Sequence, residues 1–193
     1  VLDHKVGDAF AIDSRVASPL FINQLIAYPA LDGLVSIAEN VGGRSARDFV
    51  VSNQPFFNNI IALENKGDNL YAVTATRLML VSPAGNKNHN VDIKDVIFSG
   101  DRIYLFLKDG RVELLDRGLN LIKSRKFTFA QFSGALLSGG YLYIIERNGY
   151  VIRVDENLEG QAIYELNGEF EDKSFIAGSS FYYDDKILNF DAR

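Results

Sequence analysis

A short turn, followed by alternating apolar residues and a closing acid, recurs along this chain. Three copies are clear, and in each the acid stands six residues after a glycine: 32–39 (DGLVSIAE), 109–116 (DGRVELLD) and 148–155 (NGYVIRVD). Weaker copies in the same frame lie at 75–82 and 184–191. A chain with such a repeat is constrained to build one supersecondary unit several times, so that neighbouring units bury each other's apolar faces.

The spacing of the repeat indicates which unit it is. Successive closing positions are 36, 43, 34, 39 and 36 residues apart, in the series Asp3, Glu39, Ser82, Asp116, Asp155 and Asp191. Blades of β-propellers repeat at about 40 residues and hold four strands each. The 193 residues therefore contain about five blade lengths.

Each unit centres on a predicted β-hairpin. Asp-Gly or Asn-Gly between two β-rich runs predicts a two-residue type I′ turn, with positive φ at Gly33, Gly110 and Gly149. One short strand precedes each hairpin and another follows it, the following strands being predicted at 48–51, 89–93, 124–128 and 162–166. Runs such as 103–107 are apolar on both faces, which is typical of strands covered on both sides. The predicted fold class is all-β, a β-propeller of four-stranded antiparallel blades, with about five blades present.

Residues 1–193 are expected to form a single β-propeller domain or a fragment of one. The last unit stops after its third strand, whereas 9–12 has the pattern of an unpartnered fourth strand. In one interpretation this N-terminal strand completes the last blade and closes a small ring. In the other, the chain is a portion of a larger propeller, and the opening in mid-repeat at Val1 favours this second interpretation.

The composition of the chain and the motifs it lacks exclude several classes of function. A net charge of −5 and a pI near 5.1 argue against nucleic acid and anionic membranes as partners. The chain has no cysteine and no apolar run long enough to predict a transmembrane segment. Its two histidines, His4 and His89, stand in polar surroundings without a catalytic motif around them. We therefore expect no enzymatic activity, no cofactor and no metal site.

The closing acids are predicted to have a structural role. An acid that recurs at the end of the same strand in every blade is expected to accept backbone N–H bonds in the following turn. Asp116, Asp155 and Asp191 are therefore interpreted as turn caps and not as metal ligands or general acids.

A contact face is predicted at one end of the blades. The hairpin turns and the connections between blades open at the same end of a propeller, and aromatic residues in those connections either plug the central channel or form a contact patch. The residues predicted to form a protein-contact face there are Asp32, Phe56, Phe57, Arg77, Asp109, Phe129 and Asn148.

The sequence resembles the outer-membrane assembly lipoproteins of the BamB type and their relatives with quinoprotein-like (PQQ-like) propellers. The resemblance lies in 19–29 leading into Asp32-Gly33, and in 100–104 leading into 108–110. It implies the C-terminal portion of a bacterial lipoprotein in the periplasm or anchored at the outer membrane. It also implies a non-enzymatic scaffold that binds other proteins, such as outer-membrane assembly components.

The resemblance also leaves an alternative function open. Quinoprotein-like propellers include enzymes that bind a quinone or another small molecule in the central funnel, and fold analogy alone permits that function here. This sequence departs from the enzymes because it has neither tryptophan nor a vicinal cysteine pair. The sequence therefore favours the scaffold.

Overall fold

The computed structural model describes residues 15–41, 45–54, 58–128, 130–166, 170 and 174–191, and the chain forms five antiparallel sheets within them. The chain divides into two compact units, 1–93 and 94–193. In the first unit, one sheet contains β1 (Leu20–Ile22), β2 (Leu25–Pro29), β3 (Leu34–Glu39) and β4 (Ser45–Val50). The other contains β5 (Ala62–Lys66), β6 (Asn69–Thr74), β7 (Arg77–Ser82) and β8 (Gly85–His89).

The second unit contains the other three sheets, except that the first residue of β9 belongs to the first unit. The first sheet contains β9 (Ile93–Ser99), β10 (Arg102–Leu107), β11 (Arg111–Asp116) and β12 (Leu121–Lys126). The next contains β13 (Phe132–Ser138), β14 (Tyr141–Glu146), β15 (Tyr150–Asp155) and β16 (Ala162–Glu165). The last has three strands, β17 (Ser174–Ala177), β18 (Ser180–Tyr183) and β19 (Lys186–Asn189).

In every sheet each strand pairs with the next one along the chain, which is the order of a propeller blade. Four sheets have four strands and the fifth has three, and none of the described residues lies in a helix. The predicted all-β class and the blade architecture are therefore confirmed. The predicted fourth strand at 9–12 lies outside the described residues.

The doubly apolar strands are buried as predicted. All five residues of 103–107 are at most 1% exposed. In the second unit, Tyr104 and Phe106 pack with Ile144 and Ile152 in one cluster, and the rings of Phe106 and Phe132 meet edge to face with centroids 5.6 Å apart. Burying large apolar side chains on both faces of a strand removes them from water and so stabilises the sheets on either side.

One predicted strand was misplaced. The fourth strand of the second sheet is β8, at 85–89, and not 89–93. Ile93 is fully buried at the start of β9, and its N–H donates to the carbonyl of Ala75 at 2.8 Å. The strand 85–89 is polar and has no apolar alternation, so the sequence pattern places the strand too late and includes Ile93, which begins the next sheet.

The hairpin turns also differ from the prediction in length. Gly33, Gly110 and Gly149 have φ of 87°, 85° and 90°, which confirms their positive φ. Phe106 pairs with Val112, however, so the loop between β10 and β11 has three residues, and Gly110 N–H donates to the Leu107 carbonyl at 3.1 Å. This is a type I turn followed by a glycine bulge, and the predicted two-residue type I′ turns are wrong.

The turn caps are confirmed at two of the closing acids. Asp116 Oδ1 accepts the backbone N–H groups of Gly118 and Asn120, each at 2.8 Å. Asp155 Oδ1 accepts those of Asn157 at 2.9 Å and Glu159 at 2.7 Å. The same loop is thus built twice, and its carboxylate satisfies donors that the strand pairing leaves unpaired.

Replacing Asp155 with alanine is therefore expected to lower the free energy of unfolding by about 0.5 to 2 kcal/mol, because two backbone donors lose their acceptor. Asp155→Asn keeps an acceptor oxygen and is expected to cost less. Urea unfolding would measure both, with Glu156→Ala in the same loop as the control. Equal stability of Asp155→Ala and Glu156→Ala would contradict the capping role.

Candidate functional site

The predicted contact residues of the first unit converge on one connection. The Val51 N–H donates to the carbonyl of Gly33 at 2.8 Å, which ties the hairpin turn of β2 and β3 to the segment that follows β4. Arg77, at the start of β7, donates from Nη1 to the Val51 carbonyl at 2.8 Å. Asp32 braces the first turn by accepting the Leu34 N–H at 3.2 Å. The structure therefore brings Asp32 and Arg77 to the same connection.

Arg77 is held from two sides. Its Nε donates to Asn90 Oδ1 at 2.7 Å, in the segment between β8 and β9, while Nη1 binds the Val51 carbonyl. An arginine clamped by two acceptors loses little further freedom when a ligand docks beside it. Arg77 is thus a positioned charge at the hairpin end of this unit.

The second unit repeats the arrangement. The Phe127 N–H donates to the Gly110 carbonyl at 2.9 Å, so the connection after β12 rests on the hairpin turn that contains Asp109. Four residues later, the carbonyl of Gln131 accepts the N–H of Arg147 at 2.9 Å, in the turn that contains Asn148. One connection, 127–131, therefore links the turns of Asp109 and Asn148.

Asp109 carries a stabilised negative charge. Desolvation by burial acts to raise its pKa, but hydrogen bonds from the Arg111 backbone N–H and guanidinium, together with the charges of Arg111 and Lys126, hold the pKa of Asp109 below its ordinary value. The Arg111 Nε donates to Asp109 Oδ2 at 2.7 Å, with both side chains more than a third exposed. Asp109 is therefore ionised and accessible at the tip of its turn.

Asn148 stands beside a buried acid that sequence reasoning missed. Glu146 is 4% exposed, and its carboxylate accepts the Asn148 N–H at 2.8 Å and the Asn148 side-chain amide at 3.0 Å. It also accepts the Gln131 N–H at 3.1 Å. The available signal was the charge at the end of the apolar run 141–146, where the matching position of β10 is Leu107.

The aromatic part of the predicted face is not tested. Phe56, Phe57 and Phe129 lie outside the described residues. The residues predicted at the hairpin turns are all described, and they fall into two pairs, Asp32 with Arg77 and Asp109 with Asn148.

Within the described ranges, no group of three or more His, Cys, Asp or Glu side chains is placed to hold a metal ion. In the same part of the chain there is no helix with the length and apolarity needed to cross a membrane.

The repeated four-stranded sheets and the linked hairpin turns define a protein of the β-propeller class. Solved structures with the same fold include BamB from Moraxella catarrhalis, with a TM-score of 0.69 and 13% identity over 89% of this chain and 56% of that one. The Pan2 WD40 domain of Neurospora crassa gives a TM-score of 0.61 and 12% identity over 86% of this chain and 55% of that one. At these identities the likeness concerns the fold.

At the level of sequence, no family model matches the chain. A curated relative is the plasminogen-binding protein PgbB of Helicobacter pylori strain J99, which is 32% identical over 159 residues. The match covers 81% of this chain but 29% of the relative, so the chain spans less than a third of that protein's length.

Proposed function

We propose that this chain is a protein-binding β-propeller module without a catalytic role, and that it contacts its partners through the hairpin-turn ends of its blades. The observation that carries the proposal is the way the turns are linked. In each unit a connection between two sheets is hydrogen-bonded to a hairpin turn and to a residue of the next sheet, so that polar side chains are presented on a braced surface.

A braced surface of this kind suits recognition of a protein. Asp109 and Asn148 are exposed at the tips of turns whose backbones are held by hydrogen bonds. Docking of a partner therefore immobilises few additional rotatable bonds and costs little conformational entropy. Tyr150 and Ile163 are 38% and 56% exposed beside Asn148 and supply apolar area. Apolar residues surrounded by polar ones are the usual composition of a protein interface.

Plasminogen is the first partner to test, because the relative is named as a plasminogen-binding protein. A location in the bacterial envelope and a role resembling that of the outer-membrane assembly lipoproteins are also part of the proposal, on the strength of the sequence resemblance and the BamB-like fold. The chain matches less than a third of the relative, so experiment has to locate the part of that protein that binds plasminogen.

The face can be tested by replacing Asp109 and Asn148 together with alanine and measuring binding to immobilised plasminogen. We expect affinity to fall about tenfold or more, as for residues near the centre of an interface. The matched control is Asp101→Ala with Asn157→Ala, which lie at the opposite ends of the same strands. A loss in the control with none in the test pair would place the contact at the other end.

The alternative function, that of a quinone-linked enzyme, is tested by a separate measurement. A quinone-linked propeller enzyme is expected to change its absorbance spectrum when the purified protein is mixed with quinone and calcium. We expect no change. A saturable spectral change would contradict the non-catalytic assignment.

A further inference from the structure

A pocket opens beside Asn148 in the second unit. Its volume is about 260 Å³, and its lining includes Ala130, Glu146, Asn148, Tyr150, Ile152 and Ile163. It lies where the connection after β12 passes the β15 and β16 strands of the following sheet. A pocket of this size is smaller than those that enclose drug-sized ligands, and it suits a single side chain.

The walls are mainly apolar and only partly covered. Ile152 and Ile163 pair across β15 and β16, and Ile152 is 7% exposed whereas Ile163 is 56% exposed. Ala130, which also lines the pocket, contributes a single methyl group. An aliphatic stem laid in the pocket would therefore remove apolar surface of Ile163 and Tyr150 from water.

The polar group of the pocket is the buried carboxylate of Glu146. The three donors described above, from Gln131 and Asn148, are neutral amide groups. A carboxylate has about four lone-pair sites, so beside these three donors from the described residues one remains for a further donor. Because its amide partners keep the carboxylate fixed without neutralising it, a cation placed there would gain a charge-assisted hydrogen bond.

We propose that this pocket binds a lysine side chain of a partner protein, an inference that rests on the proposed protein-binding function. The four methylene groups would lie against Ile152 and Ile163, and the ammonium group would donate to Glu146. A lysine combines an apolar stem with a compact charged head, whereas arginine presents a planar fork that needs two acceptors side by side. The net charge of −5 also favours a basic ligand.

The probe for the test is Nα-acetyl-lysine N-methylamide, compared with the norleucine derivative, which keeps the stem and lacks the charge. Each is titrated into the ¹⁵N-labelled chain while the amide signals of Asn148 and Ala130 are followed. We expect saturable shifts with the lysine derivative and at least about tenfold weaker binding of the norleucine derivative, as for loss of one charge-assisted hydrogen bond. Raising the salt concentration should weaken the lysine derivative selectively.

Two variants measure separately how much the charge of Glu146 and the apolar contact with Ile163 contribute to binding. Glu146→Gln is expected to abolish the preference for lysine, so that the two derivatives bind alike. Ile163→Ala is expected to weaken both derivatives equally. The matched control is Ile187→Ala on β19, an isoleucine that is also largely exposed, at 65% against 56%. If Glu146→Gln does not fold, Ala130→Leu fills the pocket from the connection and should weaken both derivatives.

Equal binding of the two derivatives to the unaltered chain, or no saturable shift with either, would overturn the inference. The outcome is distinguishable from failure of the proposed function. A lysine preference with plasminogen binding unaffected by the Asp109 and Asn148 substitutions would count against the proposed face only. Loss of plasminogen binding in those variants without a lysine preference would count against the pocket only.

Discussion

Replacing Gly33 with alanine is expected to lower the free energy of unfolding by about 3 kcal/mol, through backbone strain together with a steric clash. At φ of 87° an L-residue is strained whatever the space around it. A Cβ at this position would also lie directly against the carbonyl oxygen of Ser52, well inside van der Waals contact. Backbone cannot move aside as a flexible side chain can, so the turn and the connection would have to separate.

The control for Gly33 is a glycine with the same kind of backbone but open surroundings. Gly67 has φ of 59°, and a Cβ there would meet nothing within 4 Å. Gly67→Ala is expected to cost about 1 kcal/mol from strain alone. Urea unfolding followed by circular dichroism would measure both variants, and equal losses would show that the contact with Ser52 is not formed.

The second large effect is expected at Arg125, which joins two sheets of the second unit. Its Nη1 donates to the carbonyls of Leu158 at 2.9 Å and Gly160 at 2.6 Å, and its Nη2 donates to Gln161 Oε1 at 2.6 Å. The guanidinium also lies 5.0 Å from the centroid of the Phe127 ring. Leu158 has φ of 61° while its side chain is buried, so these bonds hold a strained loop in place.

Arg125→Met keeps the apolar stem and removes all three donated bonds. We expect the free energy of unfolding to fall by about 2 kcal/mol, since three hydrogen bonds from a charged donor are lost, one of them to the carbonyl of the buried Leu158. Arg125→Lys is expected to recover little, because one ammonium cannot reproduce the planar fork.

The neighbouring Lys123 provides the comparison. It bonds Glu159 at 2.8 Å, and Glu159 is 65% exposed. Exposed ion pairs contribute about 0 to 1 kcal/mol, so Lys123→Met should change stability little. If both methionine variants lost the same stability, the cause would be removal of positive charge and not the bonds to the loop carbonyls.

Much of the fold could be predicted because its signals are local. A glycine after Asp or Asn, a run of β-branched and apolar residues, and an acid six positions later each reflect chemistry within one hairpin. The positive φ of Gly110 and the capping by Asp155 follow from those neighbours alone. Repetition at blade spacing then predicted the architecture, because each unit can bury its apolar faces only against another.

Other features of the hairpins depended on pairing. Whether the loop before Arg111 has two or three residues is decided by which residues of β10 and β11 face each other, and Asp-Gly occurs in both kinds of turn. The strand 85–89 likewise forms although its residues are polar, because the edge of β7 supplies hydrogen-bond partners along its length.

The repeated unit, the number of repeats and the acidic charge follow from residues that are close together along the chain. The surfaces and pockets that the units form together depend on their packing. Arg125 reaches carbonyls more than thirty residues away, and the pocket at Glu146 exists because a connection with a small Ala130 passes beside Ile163. Contacts between segments distant along the chain depend on how sheets pack, and residue spacing within one repeat carries no record of that packing.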